Sequence, residues 1–278
     1  MKAAKFDYVQ ANSVEEALQE LGSHSNARLM AGSQSLGPML NLRLVRPEKI
    51  VDISAIKALQ YVEAENGVLK VGAGVRHADV EDGVYELLRG HMMQAVAARI
   101  AYRGVRNRGT IGGSLAHADP AADWVLTMMA LDAQLELTAA GGATRRVPMS
   151  EFMIAAYTTE LAANEMLTAV IVPKVSDSVS FGYYKFAKKV GEFADASCAC
   201  YFDAQTGVAR VVLGALDGAP QLLPELSVEV AAKGEAILEG TAIDEAVRAA
   251  MDGYSAFKRK QSVAAARRSI AQALGKGV

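Results

Sequence analysis

Between Arg106 and Asp123 the chain carries the pair Gly112-Gly113, framed by Thr110 and Ser114, and then Asp119-Pro120 ahead of an apolar run. Adjacent glycines have no Cβ, so the backbone there can pass a bulky ligand closely. Successive N–H groups in such a segment can also converge on an anion such as phosphate. A plain turn is the other reading of a Gly-Gly pair. Asp119 suits an N-cap and Pro120 the first helical position, which predicts a buried helix over 120–131. Upstream lies a second glycine–hydroxyl segment, Ala31-Gly32-Ser33-Gln34-Ser35-Leu36, directly after a short β-like run. It lacks the Gly-x-Gly-x-x-Gly spacing of the nicotinamide-binding fold and the terminal Gly-Lys-Ser/Thr of a Walker loop.

With 278 residues the chain can bury one large core or two medium ones. Hydrophobic residues at 51% and charged residues at 22% are ordinary for a globular protein. A net charge of −2 gives no global electrostatic case for nucleic acid or an anionic membrane. No apolar run approaches the roughly 20 residues of a membrane span, and Met1–Asp7 shows no apolar signal region. Cys198 and Cys200 alternate along a strand-like run, poor geometry for bridging each other, and read as small buried residues. A reducing, cytoplasmic setting fits. Two cysteines are too few for an iron–sulfur cluster. His24, His77, His91 and His117 show no metal-ligand spacing.

Ser13-Val14-Glu15-Glu16 predicts a capped helix ending at Gly22. Strands are expected at Arg28–Ala31, Lys49–Ile53 and Gly67–Gly74, helices at 78–89 and 91–103, then strands at Gln134–Thr138 and Met166–Val172. Pro173–Ser180, rich in Ser, Asp and Lys, marks a boundary. Beyond it Val179–Lys185, Ala194–Phe202 and Val208–Leu216 predict an antiparallel meander, and helices are expected near 241–253 and 258–274. The fold class is α+β, in two domains.

Taken together, the two glycine segments become specific. Ala31-Gly32-Ser33-Gln34-Ser35-Leu36, followed by Leu42-Arg43-Leu44, Arg46-Pro47 and Val51-Asp52-Ile53, resembles the first FAD motif of the medium subunits of molybdenum hydroxylases. That family includes the flavin subunit of aerobic carbon monoxide dehydrogenase and the flavin domain of xanthine dehydrogenase. Arg106-Asn107-Arg108-Gly109-Thr110-Ile111-Gly112-Gly113-Ser114, continued by Ala118-Asp119-Pro120-Ala121-Ala122-Asp123, resembles their second FAD motif. One departure is Ser33, where the family pattern has glycine; serine adds a hydroxyl but resists positive φ, so a slightly different local backbone is expected.

The resemblance implies a two-part FAD-binding domain of the vanillyl-alcohol-oxidase/PCMH type over residues 1–175, with parts at about 1–55 and 56–175. A small C-terminal domain over 176–278, with a three-stranded antiparallel sheet and helices, would follow. Leu29, Met30, Ala31, Gly32, Ser33, Gln34, Ser35 and Leu36 would wrap the FAD diphosphate from one side, and Thr110, Ile111, Gly112, Gly113 and Ser114 from the other, without basic side chains. Asp123 would bond a cofactor hydroxyl, Ile100 would pack on the cofactor, Leu167 would contact its adenine end and Lys185 would reach the flavin. Tyr184 would lie near the isoalloxazine, with Tyr183 competing. FAD would be the sole cofactor here and no residue catalytic. The molybdenum cofactor would sit in a large partner subunit and [2Fe-2S] clusters in a small one, in a dimer of heterotrimers. The chain would carry electrons from those clusters through FAD to an external acceptor.

Two further readings stay open: a self-contained flavin oxidase or reductase of the same fold, and a non-enzymatic nucleotide-binding scaffold. Arg99, Arg103, Arg106 and Arg108 read as a solvated face or as a docking surface for the iron–sulfur partner.

Overall fold

In the computed structural model, which describes residues 2–276, Ser13 opens the first helix as its sequence predicts. The Ser13 hydroxyl accepts the Glu16 N–H at 3.1 Å, and the Glu16 carboxylate takes the Asn12 N–H at 2.7 Å. The helix runs Val14–Gly22 and buries Ala17 and Leu18. They pack with Val51, Ile56, Leu59 and Met166 in a small core. This helix links two strands of a three-stranded parallel sheet, Asp7–Gln10 and Ala27–Met30, which flank the central strand Lys49–Asp52. The first glycine segment therefore starts at the carboxyl end of a parallel strand, where ligands of such sheets bind.

A five-stranded antiparallel sheet follows, in the order Val62–Glu65, Val68–Gly72, Glu165–Pro173, Gln134–Ala139, Thr144–Pro148. Its central strand is buried from Met166 to Val172, which explains an uninterrupted apolar run in place of alternation. The register shifts between Leu167 and Ala169, and the Thr168 carbonyl leaves the ladder to accept the Ala73 N–H at 2.9 Å. Met166 and Leu59 belong to the small core, so this sheet and the parallel one share a packed boundary.

The third sheet is antiparallel: Val179–Phe186, Ala196–Asp203, Val208–Gly214 and a two-residue fourth strand, Gln221–Leu222. Alternation divides its side chains between two cores. Tyr183, Ala199 and Val212 enter the largest core beside helix Asp123–Ala130. Cys198, Cys200, Val211 and Leu213 face the helices Pro224–Lys233, Ala242–Ala250 and Ala256–Ala273. Both cysteines are free and fully buried. Burial pushes the Cys198 thiol up to about 12 and that of Cys200 well above its ordinary value.

Several elements differ from their predicted form, each with a physical cause. The helix expected over 78–89 is a short helix, His77–Glu81, and a 3-10 turn, Glu86–Leu88. Side chains interrupt it: Arg89 donates to the Gly83 carbonyl at 2.8 Å and Gln94 to the Glu81 carbonyl at 3.2 Å. The stretch 91–103 yields helix Met92–Ala97 and, after Ala101 at φ 41°, helix Arg103–Arg106. The Arg106 guanidinium occupies the Ile100 and Ala101 carbonyls at 2.8 and 2.9 Å, which keeps the two pieces apart. The helix expected from Pro120 begins at Asp123, capped by Ala122. Asp119 closes a tight turn instead, accepting the Ala121 N–H on its side chain (2.9 Å) and the Ala122 N–H on its carbonyl (3.0 Å). The Gly-Gly pair is itself helical, lying in Ile111–His117 with Thr110 as N-cap.

Candidate functional site between the two glycine segments

The two segments touch through backbone. A Cβ on Gly32 would lie 2.0 Å from the Arg108 carbonyl oxygen and 2.8 Å from Gly109 Cα, so only glycine fits there. Ser33 takes φ 61°, the left-handed conformation that glycine adopts freely. The segment thus holds serine in a glycine-like conformation despite its Cβ. The Gly37 N–H donates to the Ser33 carbonyl at 3.0 Å, and Gln34 Nε2 donates to the Gly32 carbonyl at 2.9 Å. Among the described residues no acceptor meets the backbone N–H of Gly32, Ser33, Gln34 or Ser35. Such a row of free donors around a left-handed residue is an anion nest.

The second segment is built differently. Thr110 pairs with Arg76 in an isolated antiparallel bridge, and the His77 N–H bonds the Gly109 carbonyl at 3.0 Å. The Ile111 and Gly112 N–H groups donate to the carbonyls of Val75 and Ala73 at 3.0 and 2.9 Å, and Gly113 N–H to Thr110 Oγ1 at 3.1 Å. These donors, expected to converge on an anion, are occupied by protein. A Cβ on Gly112 would meet Ala73 Cβ at 2.4 Å, so this glycine seats helix Ile111–His117 on the sheet edge. Gly113 is exposed, and a Cβ there would come within 3.7 Å of Ala31 Cβ, which brings the second motif against the first.

Around this junction is a cavity of about 130 Å³ lined by Ala31, Gly32, Ile53, Ser54, Gln60, Gly74, Arg76, Asn107, Arg108 and Thr110. Ser54, Gly74 and Arg76 escaped the sequence reading because they follow strands whose spatial convergence no local pattern reveals. Asp52 anchors one wall: it accepts Tyr8 Oη–H at 2.6 Å and the Ser54 N–H at 2.8 Å. Burial pushes its carboxyl up, but those hydrogen bonds and the charge of Arg108 outweigh it and hold it below the ordinary carboxylate range. Beneath Gly109, buried His77 accepts Trp124 Nε1–H on Nδ1 at 3.1 Å. Burial, assisted by the Arg106 charge, pushes His77 down to about 3, so it is neutral.

Asp123 and Lys185, distant in sequence, form a buried ion pair at 2.8 Å, with side chains 8% and 10% exposed. The Tyr183 hydroxyl donates to the same Asp123 oxygen. Burial and the Asp123 charge raise the Tyr183 phenol well above its usual value. Tyr184 is not brought to this group: it points to the other face, against Phe186 and under the Arg268 guanidinium. The strand period of two puts Tyr183, not Tyr184, on the face of Lys185. Ile100 and Leu167 sit in the largest core, 9% and 4% exposed, and neither lines the cavity.

Of the four arginines read as one face, three have internal partners. Arg99 donates to the Tyr183 carbonyl at 2.9 Å, Arg103 pairs with Glu81 and Asp82, and Arg106 with Glu81. Only Arg108 of the four lines the cavity.

The residues present fit a long anionic ligand. The nest supplies donors, Gly32 permits the approach, and the cavity, smaller than the roughly 300 Å³ of a complete small-molecule pocket, has room only for a narrow part such as a diphosphate.

Comparison with known proteins agrees. The family described as "FAD binding domain in molybdopterin dehydrogenase" matches residues 4–175. The chain is 31% identical over 228 residues to the nicotine 6-hydroxylase medium subunit of Paenarthrobacter nicotinovorans, covering 81% of this chain and 80% of that one. It is 35% identical over 196 residues to the carbon monoxide dehydrogenase medium chain of Hydrogenophaga pseudoflava, covering 70% and 68%. A solved structure of carbon monoxide dehydrogenase from Hydrogenophaga pseudoflava matches with a TM-score of 0.90 at 28% identity over 100% of both chains. Quinoline 2-oxidoreductase from Pseudomonas putida 86 matches with a TM-score of 0.86 at 30% identity over 99% of each. The chain thus belongs to the family of FAD-binding domains of molybdopterin dehydrogenases, and its chemistry is that of an oxidoreductase.

Proposed function

We propose that this chain is the FAD-holding, electron-transferring subunit of a molybdenum hydroxylase complex. Its partners are a large subunit with the molybdenum cofactor, where substrate is oxidised, and a small subunit with [2Fe-2S] clusters. The assembly is a dimer of heterotrimers in the cytoplasm. The observation that carries this reading is the row of unpartnered N–H groups over Gly32–Ser35, facing the second motif across a backbone contact. The names of similar chains, a nicotine 6-hydroxylase medium subunit and a carbon monoxide dehydrogenase medium chain, support it. Among the described residues no helix is long and apolar enough to cross a membrane.

In this reading residues 1–175 form a two-part FAD domain of the vanillyl-alcohol-oxidase/PCMH type, and 176–278 a C-terminal domain that completes the site. Bound FAD supplies one- and two-electron redox chemistry, which lets single-electron arrivals leave as pairs. The chain's own residues bind and orient. Leu29–Leu36 hold the diphosphate through backbone donors, and Thr110–Ser114 close the other side by shape. Asp123 and Lys185 give a fixed polar wall, with Tyr183 in the position first given to Tyr184. Ile100 and Leu167 back the site from the core. Because Asp123 is already paired, its hydrogen-bonding capacity towards a cofactor hydroxyl rests on its second oxygen. No side chain here acts as acid or base on the primary substrate.

Co-expression with the neighbouring reading frames, followed by size-exclusion chromatography and metal and flavin analysis, tests the assignment. A complex holding molybdenum, iron and FAD is expected. A chain that oxidises an alcohol or aldehyde alone would overturn it in favour of a self-contained flavin enzyme.

A further inference from the structure

The cavity between the glycine segments has an electrical imbalance. Its lining includes two cations, Arg76 and Arg108, and no carboxylate. Both arginines are exposed at the mouth of the cavity. Their neighbours Arg103 and Arg106 are held by Glu81 and Asp82. Neither Arg76 nor Arg108 has an ion-pair partner among the described residues. Asp52 lies close enough for Arg108 to lower its pKa, but its oxygens are occupied by Tyr8 and Ser54. The antiparallel bridge between Arg76 and Thr110 pairs the two segments that carry the arginines, and both arginines line the same cavity. Two like-charged guanidinium groups on one narrow space repel each other, and an anion placed between them relieves that repulsion.

We infer that Arg76 and Arg108 form a charge clamp that neutralises a diphosphate seated on the Gly32–Ser35 nest, an inference that rests on the FAD reading above. The charges match: two guanidinium groups against the two negative charges of a dinucleotide diphosphate. The geometry divides the work. Neutral backbone donors fix the phosphate oxygens from the floor, and the arginines supply compensating charge from the rim, where their planar forks suit phosphate. The clamp needs basic side chains after all, contrary to the expectation from the motifs alone. It makes cofactor binding depend on ionic strength and on the presence of phosphate, because rim charges are screened by salt. It also discriminates between flavins: riboflavin, which has the same ring system and no phosphate, gains nothing from it.

The test uses the full chain freed of flavin and titrated with FAD and with riboflavin, followed by quenching of flavin fluorescence at low and high salt. Arg76→Leu and Arg108→Leu are each expected to weaken FAD binding about tenfold at low salt, and the double variant more, as for charge-assisted phosphate contacts. Riboflavin affinity should stay within about twofold, Arg108→Lys should restore most of the loss, and the salt dependence should flatten in the double variant. An FAD affinity unchanged in the double variant, or equal losses for FAD and riboflavin, would overturn the clamp and leave FAD binding intact. A wild-type chain that takes up neither flavin would instead overturn the FAD reading, and the clamp with it.

Discussion

Replacing Gly32 by alanine puts one methyl group where two backbones already touch. The new Cβ would sit 2.0 Å from the Arg108 carbonyl oxygen, 2.5 Å from its carbon and 2.8 Å from Gly109 Cα. A carbon approaches a carbonyl oxygen no closer than about 3.3 Å in ordinary contacts, so the segments must part by about 1.3 Å or the strain must stay in the fold. Overpacking of this kind costs about 1–3 kcal/mol, and backbone neighbours, which cannot rotate away, place Gly32→Ala towards the upper end. Strain retained in the fold lowers the melting temperature by about 5–10 °C for a loss of 2–3 kcal/mol. Strain relieved by parting the segments weakens FAD binding by about 30- to 150-fold for the same energy. Thermal unfolding of the flavin-free chain and an FAD titration, measured on the same preparation, should together account for that loss. Gly37→Ala is the matched control, because its Cβ would meet only the rotatable Ser33 hydroxyl, at 2.8 Å. A Gly32→Ala chain with unaltered melting temperature and unaltered FAD affinity would refute the claim that the two motifs meet at this contact.

Gly112→Ala should destabilise the fold by about 1–3 kcal/mol through its clash with Ala73; selective loss of FAD from a chain of wild-type stability would contradict that. Lys185→Met leaves the Asp123 carboxylate buried without its cation, at a cost of about 3–5 kcal/mol. In denaturant unfolding Asp123→Leu/Lys185→Met should be more stable than either single variant, and additive losses would speak against the pair. His91 caps helix Met92–Ala97 by accepting the Met93 N–H at 3.2 Å, and its buried Nε2 has no partner. Burial lowers its pKa from 6.5 to about 4, so the unfolded chain binds the proton first as pH falls. Its stabilising effect is complete above about pH 6.5 and is lost at up to about 1.4 kcal/mol per pH unit towards pH 4. His91→Asn keeps a capping acceptor and removes the titration, so unfolding free energy plotted against pH should fall less steeply in that window; an unchanged slope would exclude His91 as a contributor.

How far the sequence revealed the molecule depends on the range of the interactions involved. Ser13 and Glu16 cap a helix through bonds within four residues, and that start was legible. The C-terminal strands were legible too, since each carries its own apolar run and its turns contain glycine. The helix Pro224–Lys233 passed unread although Pro224 at its first turn and the spacing of Leu226 and Val230 are local signals. The breaks near Gly83 and Ala101 depend on Arg89, Gln94 and Arg106 reaching carbonyls several residues away, which periodicity does not register. At the site, the glycine segments were legible as a pair, but not their division of labour. Free N–H groups in the first and occupied ones in the second follow from where residues 73–77 lie, and only the fold places those residues beside Ile111 and Gly112. Arg76 was invisible for the same reason. Tyr183 and Tyr184 differ by one step on a strand, and which of them meets Asp123 depends on a helix sixty residues away.

The central claim, that the junction of the two glycine segments holds FAD, is tested most directly by the flavin content of the purified full chain. Denaturation should release a yellow chromophore that chromatographs as FAD in stoichiometric amount with protein, and Gly32→Ala should reduce that amount while Gly37→Ala does not. A chain purified without flavin that also fails to take up added FAD, or one that retains full FAD in Gly32→Ala, would contradict the account.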